Sequence, residues 1–284
     1  MKHLAYTTLL LACFAAQLSA QTHKVISAVS KQGLPYAVVT NNAGKGIYTD
    51  EQGAFDISSI NKTDSLSFYC VGYERATIAS AKLPATIMLQ PLARTMNEVV
   101  IRSEVPVKTI PYPKRGMPFT FHSSVGMELA TKINFRAEDA GALKKLTEVR
   151  IRIKHLNEDN PCRLHIYEVT AADTPGKELL TRDIILRKED ANLVAFRKDL
   201  SGENIYLSAD AVFIGIEWIG MKKKLPARES GSKYYVSSPD LRMTESIPEI
   251  RTYRRILSYR NWHAVKPIHE SDNPPNMVVS LSYQ

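Results

Sequence analysis

Apolar residues recur at every second position in short runs along the chain. Phe55 and Ile57 flank Asp56, Leu66 and Phe68 alternate with Ser65, Ser67 and Tyr69, and Ile87 and Leu89 flank Met88. The pattern returns further on, where Val149, Ile151 and Ile153 alternate with the charged residues Glu148, Arg150, Arg152 and Lys154. Val212, Ile214, Ile216 and Trp218 repeat it, and Met277, Val279, Leu281 and Tyr283 close the chain in the same way. A period of two puts alternate side chains on opposite faces of a strand, so each run predicts a half-buried β-strand. Further strands are expected at residues 164–169, 179–186, 193–198 and 234–237. No amphipathic pattern longer than a couple of helical turns interrupts them, and the expected fold class is all-β.

Turn chemistry separates the runs. Residues 24–30 and 36–40 are β-rich and divided by Lys31-Gln32-Gly33, with Pro35 at the opening of the second run, which predicts a hairpin. Asn41-Asn42-Ala43-Gly44-Lys45-Gly46 and Asp50-Glu51-Gln52-Gly53 are turn clusters, because Asn and Asp tolerate positive φ and Gly adopts it without a Cβ penalty. Between them Ile47-Tyr48-Thr49 has room only for a short strand. The order of Gly33-Leu34-Pro35-Tyr36, Asp50-Glu51-Gln52-Gly53-Ala54-Phe55, Phe68-Tyr69-Cys70-Val71-Gly72-Tyr73 and Asn97-Glu98-Val99-Val100-Ile101 resembles the carboxypeptidase-regulatory-like domain of exported Gram-negative bacterial proteins. That resemblance implies an N-terminal immunoglobulin-like or prealbumin-like β-sandwich over residues 21–103. It implies no carboxypeptidase activity, since this module is an accessory of those enzymes and their zinc-binding catalytic domain is not matched.

Residues 104–118 hold Pro106, Pro111, Pro113 and Pro118 with Lys108, Lys114 and Arg115, and read as a semi-extended linker. Residues 119–284 then predict a second sandwich of about eight strands with a jelly-roll-like architecture, with turns at 174–176 and 201–202. The succession from Leu164-His165-Ile166-Tyr167-Glu168-Val169 through Asp199-Leu200-Ser201 to Phe213-Ile214-Gly215-Ile216-Glu217-Trp218 is similar to carbohydrate-binding-module and galactose-binding-like sandwiches. Glu98-Val99-Val100-Ile101 also resembles a segment of TonB-dependent transporters. Fewer than ~200 residues follow it, too few for a plug and a large barrel.

The N-terminus changes the picture of where the protein works. Lys2, the uncharged run from Leu4 to Leu18, and Leu18-Ser19-Ala20 before Gln21 read as a signal peptide over residues 1–20. The expected location is the periplasm, the outer membrane or the cell surface. Leu10-Leu11-Ala12-Cys13 also fits a lipoprotein cleavage site that would lipidate Cys13, but the apolar core before it is short and this anchor is disfavoured. No later segment is long and apolar enough to span a bilayer as a helix. Cys70 and Cys162 fall in different expected domains, which argues against a disulfide framework and for buried hydrophobic roles.

The formal charge of +8 includes Lys222-Lys223-Lys224 and a cluster of Arg251, Arg254 and Arg255 around Tyr253. In an exported protein such basicity suits an anionic glycan, lipopolysaccharide or an acidic partner better than nucleic acid, and a solvated loop better still. No His-Glu-x-x-His, Gly-x-Ser-x-Gly, phosphate-binding glycine loop or EF-hand calcium loop is present, and no catalytic residue, cofactor or metal is expected. His155 and His165 could meet across a hairpin, more in keeping with an ordinary polar pair than a metal site. Glu217 is the most suggestive carboxylate, yet its place on a strand favours an outward-facing residue. The expected role is a non-enzymatic structural or protein-interaction component with an unidentified envelope partner. The alternative is carbohydrate binding through Tyr253, Tyr259 and Trp262, whose rings would stack on sugars, with Trp218 in the core.

Overall fold

The computed structural model describes residues 22–60, 65–93, 105–113, 119–123, 125–154, 161–186, 195–219, 237–257, 261–267, 269 and 272–284. The chain divides into two compact units, Met1–Tyr69 with Arg75–Pro91, and Cys70–Glu74 with Leu92–Gln284. Strands dominate both, and the all-β expectation holds.

The first unit contains β1 (Thr22–Ser27), β2 (Val38–Asn41), β3 (Gly46–Tyr48), β4 (Ala54–Asp56), β5 (Ser65–Tyr69), β6 (Ala76–Ala79) and β7 (Thr86–Leu89). They form two sheets, β4-β1-β7 and β3-β2-β5-β6, with β1 and β7 parallel. Val25, Phe55, Ile87 and Leu89 of the first sheet and Val39, Leu66 and Phe68 of the second are buried, and the Phe55 and Phe68 rings meet at 5.9 Å. Apolar faces of two sheets closing on each other make the sandwich.

The expected hairpin between the first two runs does not form, because β1 and β2 belong to different sheets and only an Ile26–Gly33 bridge links the segments. The connection is occupied elsewhere. Gly33 lies so close to the Asp50–Gly53 turn that a Cβ on it would sit 1.9 Å from the Gln52 carbonyl oxygen. Thr49 Oγ1 donates to the Leu34 carbonyl at 2.7 Å and accepts from the Ala37 N–H at 2.8 Å, which ties the connection to the next turn. That turn is built as expected, with Asp50 Oδ1 accepting from Gln52 and Ala54 N–H groups and Gly53 at φ +79°.

In the second unit lie β8 (Lys108–Ile110), β9 (Phe119–Ser123), β10 (Met127–Asn134), β11 (Lys144–Ile151), β12 (Ile153–Lys154), β13 (Cys162–Val169), β14 (Pro175–Glu178) and β15 (Ile184–Leu186). They are followed by β16 (Phe196–Asp199), β17 (Tyr206–Leu207), β18 (Ala211–Trp218), β19 (Ser237–Thr244), β20 (Thr252–Ile256), β21 (His263–Ala264), β22 (Asn276–Met277) and β23 (Val279–Tyr283). One sheet runs β14-β13-β18-β10-β20-β21, with β15 also beside β13. A second runs β16-β11-β23-β8, with β17 beside β11. Where the β11–β23 ladder ends, β19 takes up the pairing with β12 and β22, through bonds among Arg152, Val278 and Arg242 backbones. The strands are therefore more numerous and shorter than expected, since such breaks divide long alternating runs.

Three local expectations change. Part of the linker, Lys108–Ile110, is an edge strand on β23, flanked by prolines at positions an edge tolerates. The turn expected at 174–176 falls earlier, closed by the Thr170 N–H to Thr174 carbonyl bond with Asp173 at φ +58°, and Pro175 opens β14. The strand expected over 179–186 keeps only Ile184–Leu186.

Candidate functional site

The register of the largest sheet sets four charged residues in one row. Arg163 on β13 faces Glu217 on β18, Glu217 faces Glu128 on β10, and Glu128 faces Arg255 on β20. Arg163, Glu217 and Glu128 are fully buried. Such charges are tolerated only when each has a partner. Arg163 Nη1 donates to Glu217 Oε2 at 2.8 Å, and its Nη2 donates to Asp183 Oδ2 at 3.2 Å. Arg255 Nε donates to Glu128 Oε2 at 2.7 Å, while the Tyr167 hydroxyl donates to Glu128 Oε1 at 2.5 Å and accepts from Arg255 Nη2 at 2.7 Å.

The next row on that face carries His165, Gly215, Ala130 and Tyr253. His165 is fully buried, and its Nδ1 lies 2.6 Å from Glu178 Oε2 while its Nε2 lies 3.1 Å from Glu217 Oε2. Gly215 makes this convergence possible by leaving out a side chain. A Cβ there would sit 3.0 Å from His165 Cβ and 3.4 Å from Glu128 Oε1.

Burial alone would lower the His165 pKa, but the surrounding Glu128, Glu178 and Glu217 carboxylates outweigh it and raise the imidazole to about 10. At neutral pH His165 is an imidazolium that donates from both ring nitrogens, with no lone pair left to accept a proton. Burial pushes Asp183 upward against the pull of Arg163. Burial also raises both thiols, Cys70 and Cys162, which keeps them protonated and poor nucleophiles. Among the described residues no group of three or more His, Cys, Asp or Glu side chains could hold a metal ion.

Glu217 does not face outward as its strand position suggested. Both faces of β18 are covered, so Val212, Ile214, Ile216 and Trp218 are buried on one side and Phe213 and Glu217 on the other. Trp218 lies in the core, its ring 6.3 Å from that of Phe121. Tyr253 and Trp262 come together against a buried cluster of Ala130, Tyr167 and Phe213, and both are half-buried. Trp262 meets Tyr167 edge-on at 5.7 Å, Tyr253 meets Phe213 edge-on at 5.7 Å, and the Arg255 guanidinium lies 4.3 Å from the centre of the Trp262 ring. Tyr259, His155, Lys222-Lys223-Lys224, Cys13 and the rest of residues 1–20, where a signal peptide was expected, lie outside the described residues. Arg254 is exposed, and Arg251 pairs with Glu249 at 3.1 Å.

Glu128, Arg163, Tyr167, Glu178 and Asp183 went unnoticed in the sequence. Arg163, His165 and Tyr167 share one face of a single strand, and that spacing was the available signal. The partners come from β10, β14, β18 and β20 and from Asp183 just before β15, and the pairing of distant strands brings them into reach.

Residues 23–101, the stretch that holds β2 to β7 and most of β1, match the family model of the CarboxypepD_reg-like domain. No curated protein matches the chain. Among solved structures, the cysteine protease and lectin-like domains of Cwp84, a surface layer associated protein of Clostridium difficile, align at 10% identity and a TM-score of 0.35. That alignment covers 56% of this chain and 32% of the other, so the chain spans about a third of that protein's length. The infectious bursal disease virus Gx strain structure aligns at 10% identity and a TM-score of 0.26, over 87% of this chain and 59% of the other. Among the described residues no helix is long and apolar enough to cross a membrane.

Proposed function

We propose that the protein is a non-enzymatic, exported component of the cell envelope that presents its second unit to a protein partner. The observation that carries this reading is the closed state of the charged row. Each ionised group there is held by another within the same sheet, and the buried His165 has both ring nitrogens engaged. Groups committed to one another in this way fix a scaffold, because a bonded buried network rigidifies the core around it. Export is supported by the CarboxypepD_reg-like domain, together with the leader read over residues 1–20. Cross-linking the tagged protein in intact envelopes, followed by fractionation, tests the reading. A stoichiometric envelope protein captured with it supports the proposal, and a cytoplasmic location overturns it.

Carbohydrate binding is the second reading, favoured by the placement of half-buried Tyr253 and Trp262 against one aromatic cluster. Arg255 already covers part of the Trp262 ring system, which leaves less surface for a sugar. A glycan array with Trp262→Ala in parallel separates the two readings. Binding lost in a folded Trp262→Ala protein replaces the first reading with the second, and no binding above background leaves the first in place.

A further inference from the structure

Arginines gather on one face of the sheet β16-β11-β23-β8, away from the charged row. Arg150 on β11 lies directly opposite Arg197 on β16, and Arg152 continues the alternation just beyond β11. Val149, Ile151 and Ile153 take the other face and are buried, while the Arg150 and Arg197 side chains are 47% and 69% exposed. Their contacts set the arginines on a common side. Arg150 Nε donates to Glu148 Oε1 and Arg197 Nε to Glu148 Oε2, and the Arg152 guanidinium lies 4.6 Å from the centre of the Tyr112 ring. The Tyr112 hydroxyl feels the charges of Arg152, Arg150 and Glu148 together, which joins Arg152 to the other two. Like charges set opposite one another across a ladder oppose folding. Glu148 offsets part of that cost, yet its one carboxylate is divided between two guanidinium groups. Asp199, opposite Glu148 in the same ladder, accepts from the Ser201 N–H at 2.8 Å.

Building on the reading of a protein partner, we propose that this face binds an extended acidic segment of that partner, with carboxylates at alternate positions meeting Arg150, Arg152 and Arg197. The donors suit the ligand. A guanidinium carries five N–H groups in a planar fork that matches a carboxylate, and the bond to Glu148 engages the Nε of Arg150 and of Arg197. Spacing sets the form. Alternate residues of a strand stand about 6.8 Å apart on one face, so Arg150 and Arg152 repeat at the interval of alternate side chains in another extended chain. That match favours a peptide with carboxylates in series over a single small anion.

The test is fluorescence anisotropy of the full protein with a labelled alternating Thr-Glu peptide, an isomer with its glutamates contiguous, and an alternating Thr-Lys peptide, with polygalacturonate as an anionic polysaccharide. The alternating acidic peptide is expected to bind saturably, more tightly than its isomer, and to weaken as salt is raised. Arg152→Gln, which leaves the Glu148 pairs in place, should bind it about fivefold more weakly. Glu148→Gln/Arg150→Gln/Arg197→Gln, which strands no charge, should weaken it about tenfold or more, both variants keeping the thermal unfolding of the parent. Equal binding of the isomer or the Thr-Lys peptide, tighter binding of polygalacturonate, unchanged affinity in a folded Arg152→Gln protein, or no binding at all each overturns the proposal. Envelope cross-linking separates it from the reading it builds on. A partner captured equally by the parent and the triple variant overturns the acidic-segment site and leaves the protein-partner reading standing, and no partner captured by either overturns both.

Discussion

His165 Nε2 lies 3.1 Å from Glu217 Oε2, and neither side chain reaches solvent. The pair sits on neighbouring strands of the largest sheet, and Glu178 holds the opposite nitrogen of the same ring. An ordinary histidine becomes a fixed cation there, with consequences for stability and pH response.

The first consequence is alkaline sensitivity. The folded His165 pKa is raised from 6.5 to about 10. A group whose folded pKa exceeds its unfolded value contributes stability that is full below the unfolded value and lost as pH rises through the folded one. The contribution is therefore present below about pH 6.5 and disappears between there and about pH 10. Urea midpoints measured from pH 6 to pH 10 should fall across that window, and His165→Gln should flatten the fall. A parallel profile in both proteins would contradict it.

Breaking the row from one side should be costly. Glu217→Ala leaves Arg163 and His165 buried without a shared acceptor, and about 3–5 kcal/mol of stability should be lost. Arg163→Met combined with Glu217→Leu should lose less than the sum of the two single changes, because the residues are directly bonded. A double-mutant cycle by chemical denaturation measures the coupling, and additivity would show that the contact contributes nothing.

Gly53→Ala should destabilise the first unit strongly. Gly53 adopts φ +79°, and a Cβ would sit 2.4 Å from the Val25 carbonyl oxygen and 2.7 Å from the Leu34 nitrogen. Backbone atoms cannot rotate aside, so a loss above about 1 kcal/mol is expected, the strain and the clash adding. Thermal unfolding of the variant checks it, and an unchanged transition would contradict the geometry.

The two tryptophans should differ in accessibility. Trp218 is 1% exposed, whereas Trp262 is half-buried. Trp262→Phe should therefore remove most of the acrylamide-quenchable emission of the native protein, and Trp218→Phe should leave it. The reverse result would place Trp262 in an interior it does not occupy here.

Thiol reactivity follows from the same burial. Cys70 and Cys162 are both buried with raised pKa values, so a disulfide-exchange reagent at pH 8 should label neither in the native state. Both should react once the chain is denatured.

Alternation by itself determined the all-β class, the buried faces of Val149, Ile151 and Ile153 and the core position of Trp218, and turn residues determined the Asp50–Gly53 turn. These rest on local rules, since a strand's period and a turn's φ preferences are properties of neighbouring residues. Only the tertiary structure decided that β1 and β2 part into separate sheets, because the Gly33 turn packs on the Asp50–Gly53 turn while both edges of β1 go to β4 and β7 and both edges of β2 go to β3 and β5. It also decided that Glu217 faces inward. One strand shows its two faces but not what covers them, and the pairing of β13, β18, β10 and β20 assembled Arg163, Glu217, Glu128 and Arg255 into one row. Register is a relation between distant segments, and a one-residue slip would have turned each of those charges to the other face.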